Sequence, residues 1–184
     1  LINELIKRNR TEVRLIYNTN FTEMTYKKNN ILDLWPNFKQ VSVGASLDAM
    51  GTLAEYMRKG TDWEQVERNR EEMMRVCPKV DFYISPTLSI MNAMSLPDFH
   101  RQWTETGLIR AQDLNVNILQ DPAHYRIDIA TKEYKEELGT IYLNHIQWLQ
   151  QQGDNLGRAT QGFESAITFM NATDNTHLID TFWR

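Results

Sequence analysis

Polar side chains able to hold a ligand gather in four places, each where an apolar run ends: Asn18-Thr19-Asn20, Ser46-Leu47-Asp48, the stretch 87–92 from Thr87 to Asn92, and Gln120-Asp121. Hydroxyl, amide and carboxylate groups of this kind bind small polar molecules through hydrogen bonds. The same residue types form turns and cap helices, so a structural role stands open for each of them. Residues for other chemistries are sparse. No glycine-rich phosphate loop, nucleophile elbow or His-x-x-x-His pair occurs. His100, His124, His145 and His177 stand far apart in the chain and read as surface or packed rings rather than ligands, because a metal needs clustered donors. Cys77, the only cysteine, rules out an internal disulfide and a multi-cysteine metal site, and its place just before Pro78 suits a buried structural thiol. A conventional aldolase or lyase would want a lysine or a metal-binding trio at these ends, and none supplies either.

The apolar runs are the elements that would position these groups. Residues 13–17, 41–47, 80–88 and 114–119 are rich in β-branched or aromatic side chains and predict strands. Helical patterns separate them. A short helix is expected around 31–35, stopped by Pro36, and another over 53–58, ended by Gly60. A longer helix follows, for which Thr61 and Glu64 have capping-box spacing; Trp63, Val66, Met73 and Cys77 share its apolar face. Leu96, Phe99 and Trp103 share the face of the next helix until Gly107, and one more helix is expected before the fourth strand. Residues 131–150 predict a helix burying Tyr134, Leu138, Ile141, Trp148 and Leu149, and 161–170 a last one. Strand and helix in alternation predict a parallel sheet of right-handed βαβ units, open or curled into a barrel. In either form ligands sit at the carboxyl ends of the strands, where the four polar segments stand.

The whole chain narrows the partners. With 184 residues, 41% of them apolar, it can bury a core and is expected to fold throughout. The net charge of −4, with both signs interspersed, gives no basic stripe, so nucleic acid is excluded as a direct partner. No apolar stretch approaches the roughly 20 residues that span a bilayer, and the start does not resemble a signal peptide, so a soluble cytoplasmic protein is expected. The chain opens inside the helix-like Leu1-Ile2-Asn3-Glu4-Leu5-Ile6 and closes on Phe182-Trp183-Arg184. Apolar ends of this kind predict a fragment truncated at both ends.

At the same strand ends the sequence resembles the radical S-adenosylmethionine superfamily, in particular its group with an accessory twitch or SPASM-type cluster domain. Arg14-Leu15-Ile16-Tyr17-Asn18-Thr19-Asn20-Phe21-Thr22 resembles the superfamily's third-strand segment, which usually ends in Thr-Asn-Gly-Thr. Val41-Ser42-Val43-Gly44-Ala45-Ser46-Leu47-Asp48 resembles the fourth strand, ending in Ser-x-Asp, with Arg58 and Gly60 following. Residues 82–92 resemble the fifth strand and its loop, and 114–120 the sixth. Phe21 stands where the family usually has Gly, and Ala49 where a Gly often follows the Asp. The resemblance implies an α/β fold, a partial parallel (β/α) barrel, with its later strands and helices in 1–130 and, in 131–184, helices that pack on the barrel and lead to an accessory region.

Carried onto this chain, the family pattern assigns Ser46 and Arg58 to the carboxylate and amine end of S-adenosylmethionine and Asp48 to the neighbourhood of the ribose, while Asn20, Thr87, Asn92 and Gln120 line the same rim. A guanidinium fork matches a carboxylate, and a carboxylate accepts from ribose hydroxyls. Arg58 also reads as a helix-end cation before Gly60. The implied activity is reductive cleavage of S-adenosylmethionine at a 4Fe-4S cluster, giving a 5′-deoxyadenosyl radical that abstracts a substrate hydrogen. The cluster's Cys-x-x-x-Cys-x-x-Cys loop and the glycine-rich segment contacting the methionine amine are expected upstream of Leu1, so the fragment alone is expected to be inactive. An electron donor and a substrate, with peptides and other macromolecules among the options, are the implied partners. The alternative is a cluster-free α/β module that binds a small polar ligand or a protein without catalysis.

Overall fold

The computed structural model describes residues 1–154 and 157–184, and the chain divides into two compact units, 1–84 and 85–184. The first unit runs α1 (Ile2–Lys7), β1 (Arg14–Thr19), a hairpin of β2 (Thr25–Tyr26) and β3 (Asn29–Asn30), α2 (Ile31–Leu34), β4 (Gln40–Ala45), α3 (Gly51–Met57), α4 (Trp63–Val76) and β5 (Asp81–Ile84). Its sheet has the order β1-β4-β5, all parallel, with Thr19 opposite Ala45 and Ala45 opposite Ile84. The strands expected over 13–17 and 41–47 therefore form in register, with their carboxyl ends aligned.

Alternation gives this sheet two unlike faces. Val41, Val43, Ala45, Phe82 and Ile84 are buried. Trp35 packs edge-on against Tyr17 at 5.3 Å between ring centroids, and Arg70 of α4 lies 4.1 Å over the Phe82 ring. Arg14, Ile16, Asn18, Gln40, Ser42, Gly44, Asp81 and Tyr83 fall on the opposite face. There Ser42 Oγ donates to Asp81 Oδ2 at 3.0 Å, and Ile16 is 62% exposed. The Tyr83 ring tip crosses β4 at Gly44 on this face, where a Cβ would lie 2.9 Å from it, so a larger residue there would push the ring aside.

The four-residue α2 stops as expected, with Pro36 inside a following 3-10 turn of Trp35–Asn37. The start of α4 differs from expectation. Asp62, not Thr61, is the cap, its side chain accepting from the Gln65 N–H at 2.9 Å. An Asp one residue nearer the first apolar position presents its carboxylate to the open amides and takes over the role that a Thr61–Glu64 box would have had. Trp63, Val66, Met73 and Cys77 are buried on the expected side, joined by Asn69.

The run over 80–88 is not one strand. It ends at Ile84; Ser85 and Pro86 intervene, and β6 (Thr87–Leu88) belongs to the second unit. Pro86 has no N–H to continue a ladder. The second unit continues with α5 (Leu96–Glu105), β7 (Asn117–Ile118), α6 (Lys132–Gln151), α7 (Arg158–Ala172) and α8 (Ile179–Phe182). Only Asn117 and Ile118 of the expected strand 114–119 pair, in parallel with Thr87 and Leu88. No helix forms between Gly107 and this strand; Arg110 and Asp113 close a turn instead, Arg110 donating from its backbone and guanidinium to the Asp113 carboxylate.

Helices carry the second unit. Leu96, Phe99 and Trp103 of α5 are buried as their spacing predicts. On α6 the fully buried residues are Leu138, Tyr142, His145, Ile146 and Leu149, while Tyr134, Ile141 and Trp148 are half-buried. Tyr142 meets Phe163 of α7 at 5.0 Å and donates its hydroxyl to the Ala93 carbonyl at 3.1 Å, joining α6 to both α7 and the loop before α5. The fold is thus mixed α/β; among the described residues there are a small parallel sheet and eight α-helices, and no closed barrel forms.

Candidate functional site

Strand β4 ends in a short turn that aims the candidate residues. Ser46 N–H donates to the Thr19 carbonyl of β1 at 2.8 Å, and Leu47 N–H folds back on the Ala45 carbonyl at 2.9 Å. That three-residue turn brings Asp48 in, 7% exposed, while Ser46 stays half-buried. Gly51, with φ +58, then opens α3 in a conformation that L side chains rarely adopt.

Arg58 closes the other side. It is the C-cap of α3, its N–H bonded to the Ala54 carbonyl, and its backbone has left the helical region. Its Nε donates to Asp48 Oδ2 at 2.6 Å and its Nη1 to Asn20 Oδ1 at 3.1 Å. Three of the predicted residues, Asn20, Asp48 and Arg58, are therefore joined by hydrogen bonds at the carboxyl ends of β1 and β4. The Arg58 side chain is 30% exposed and that of Asp48 9%. Among the described residues Nη2 has no hydrogen-bond partner, and it can serve a ligand carboxylate.

Phe21 stands next to this cluster in an unusual state. It adopts φ +61, the region favouring Gly, with its N–H bonded to Thr19 Oγ1 at 3.0 Å. A left-handed conformation costs a bulky residue roughly 1–2 kcal/mol. Burial offsets that cost: the ring is 0% exposed and lies 5.0 Å from Phe82. Asn69 of α4 holds the segment from below, donating Nδ2 to both the Phe21 and Thr22 carbonyls at 3.0 Å. The backbone keeps the left-handed turn after Asn20 with a large side chain where glycine is expected.

The other predicted residues lie in the second unit. Thr87 is half-buried in β6, opposite Asn117. Asn92 is 0% exposed; Oδ1 accepts from the Ser89 N–H at 2.8 Å and Nδ2 donates to the Thr87 carbonyl at 3.1 Å, so its amide ties the loop after β6 together. Gln120 is exposed and donates to the Ile118 carbonyl at 3.1 Å.

Packed histidines were among the options the sequence left open, but the pairing of His100 with His145 and the buried Asp128 group were not expected. His100 and His145, 45 residues apart, meet ring to ring at 3.0 Å. Asp128, 1% exposed, is held by Arg126 through Nε and Nη2 and by Asn175 Nδ2 at 2.8 Å. Only the Arg-x-Asp spacing hints at the second group, and nothing local signals the first. Cys77 is buried as expected, its Sγ–H directed to the Leu32 carbonyl, and burial pushes its thiol pKa up, which suits a structural role.

No family model, curated protein or solved structure matches the chain.

Proposed function

We propose that the chain is the later part of a radical S-adenosylmethionine enzyme, with its three parallel strands forming a segment of a partial (β/α) barrel. The observation that carries the reading is the Arg58 guanidinium, held by Asp48 and Asn20 at the carboxyl ends of strands that follow one another in chain order. The all-parallel order β1-β4-β5 also suits a stretch of barrel wall.

In this reading the free Arg58 donors and the Ser46 hydroxyl hold the amino-acid end of S-adenosylmethionine, and Asp48 both orients Arg58 and stands near the ribose. Asn20 fixes the guanidinium plane. One-electron reduction at a cluster would cleave the sulfonium C–S bond of S-adenosylmethionine, and the 5′-deoxyadenosyl radical released would take a substrate hydrogen atom. A 4Fe-4S cluster does not fit this chain's own residues: Cys77 is single and buried, and among the described residues no three His, Cys, Asp or Glu are grouped to hold a metal. Its thiolates, and contacts to an electron donor, belong to protein outside 1–184.

Calorimetric titration of S-adenosylmethionine into the folded chain tests the reading. Loss of a charge-assisted hydrogen bond costs about 1.5–3 kcal/mol, so Arg58→Ala is expected to weaken binding roughly 10- to 100-fold. Equal binding by wild type and variant would overturn the assignment. A folded wild type that binds no S-adenosylmethionine would favour the cluster-free binding module, in which the Asp48–Arg58 pair serves only to clamp the end of α3 to β4.

A further inference from the structure

His100 of α5 and His145 of α6 are 0% and 1% exposed, with His100 Nδ1 3.0 Å from His145 Nε2 and His100 Nε2 2.9 Å from the Ala111 carbonyl oxygen. Those distances fix the protons. A carbonyl only accepts, so His100 Nε2 carries a hydrogen and His100 Nδ1 offers a lone pair. His145 Nε2 must then donate to it. His145 Nδ1 is left as a buried lone pair, without a partner among the described residues.

The surroundings offer nothing to a further N–H. Phe163 of α7 lies 4.7 Å from the His145 ring and is stacked at 6.5 Å from His100, and Trp148 stacks on His145 at 5.1 Å. From α5 the facing charge is Arg101, whose guanidinium lies 5.2 Å over Trp148 and disfavours a second cation. From the 110–113 turn it is Asp113, already bound by Arg110 at 2.6 Å. The charged residues of α6, Lys132, Glu133, Lys135, Glu136 and Glu137, lie two or more turns before His145, and Arg158 and Glu164 of α7 are exposed.

We propose that the His100–His145 pair is an acid-operated latch: in its neutral form it holds α5, α6 and the 110–113 turn together, and proton uptake opens it. A proton added to His100 Nδ1 confronts the His145 Nε2–H. His145 can yield only by moving its own hydrogen to Nδ1, where no acceptor waits. A proton added directly to Nδ1 meets the same lack, beside Arg101. Either way a cation is enclosed by Phe163 and Trp148, which is costly.

Burial accordingly lowers the pKa of His100 from 6.5 to about 4 and that of His145 to about 3. Both folded-state values lie below the unfolded one. The pair's contribution to stability is therefore complete above 6.5 and is lost as pH falls toward the folded values. Within that window each histidine raises the unfolding constant ~10-fold per pH unit, and both together ~100-fold.

Urea unfolding of the whole chain across this window, read by tryptophan fluorescence, tests the latch against His145→Gln. The glutamine amide can still donate to His100 but does not titrate. The variant is expected to lose a factor of ~10 per pH unit from the wild-type slope; equal slopes would overturn the proposal. If the variant does not fold, ring ¹⁵N shifts of wild type decide. Both rings should stay neutral and Nε2-protonated until the protein unfolds, and titration near 6.5 in the folded state would refute the latch.

Discussion

The Asn20–Asp48–Arg58 cluster and the His100–His145 pair are both polar groups placed among apolar neighbours, yet they are built in opposite ways. In the first, two opposite charges meet near a surface, Arg58 keeps donors to spare, and every member stands at the end of a strand or helix. In the second, two neutral rings meet in the middle of helices, and the only unused atom is enclosed. The first arrangement can accept a ligand with little rearrangement. The second resists any change in its proton count. A binding site needs the former, and a packed helical core tolerates the latter only while its histidines stay uncharged.

Three substitutions would sharpen or break this contrast. The largest effect is expected for Phe163→Ala, which removes the ring contacting His100, His145 and Tyr142. A buried Phe→Ala change costs about 3–5 kcal/mol, and chemical denaturation would measure it. Water admitted to the cavity would also give His145 Nδ1 a partner, so the acid sensitivity of the variant should shrink along with its stability. If stability falls but the pH slope is unchanged, enclosure is not what keeps the histidines neutral.

Arg58→Ala should have a smaller effect on folding, about 1–3 kcal/mol, because buried Asp48 loses one charge-assisted bond and the guanidinium removed is itself part-exposed. Its effect on ligand binding should exceed its effect on stability when each is compared with wild type. Were the fold to collapse with no separable binding defect, the cluster would be a structural clamp and the contrast with the histidine pair would dissolve.

The smallest effect distinguishes two neighbouring caps. Asp62→Ala should cost about 1 kcal/mol through loss of the bond to the Gln65 N–H, whereas Thr61→Ala should change stability by less than about 0.5 kcal/mol. Thermal or urea denaturation of the two variants checks the order.

Much of the first unit could be read in advance because its determinants are local. The β-branched runs around Leu15 and Val43 form adjacent parallel strands, and Asn20, Asp48 and Arg58 converge because strand ends in register must share one edge. Local spacing decides less where two signals compete. Thr61 and Asp62 both suit a cap, and only the backbone direction chose between them. The apolar run over 80–88 looked continuous because periodicity does not register a break of two residues, yet Ser85 and Pro86 end the strand there.

The sequence by itself determined the alternation of strand and helix, the apolar faces of α4 and α5, the burial of Cys77 and the polar strand ends. These follow from side-chain periodicity and from a few residues that stop or start elements. Tertiary structure alone decided that Phe21 would occupy a left-handed turn under Asn69, that the amide of Asn92 would tie its own loop, and that two histidines 45 residues apart would share a hydrogen bond. Each of these depends on which distant surfaces meet, and contact across the chain leaves no mark in local spacing.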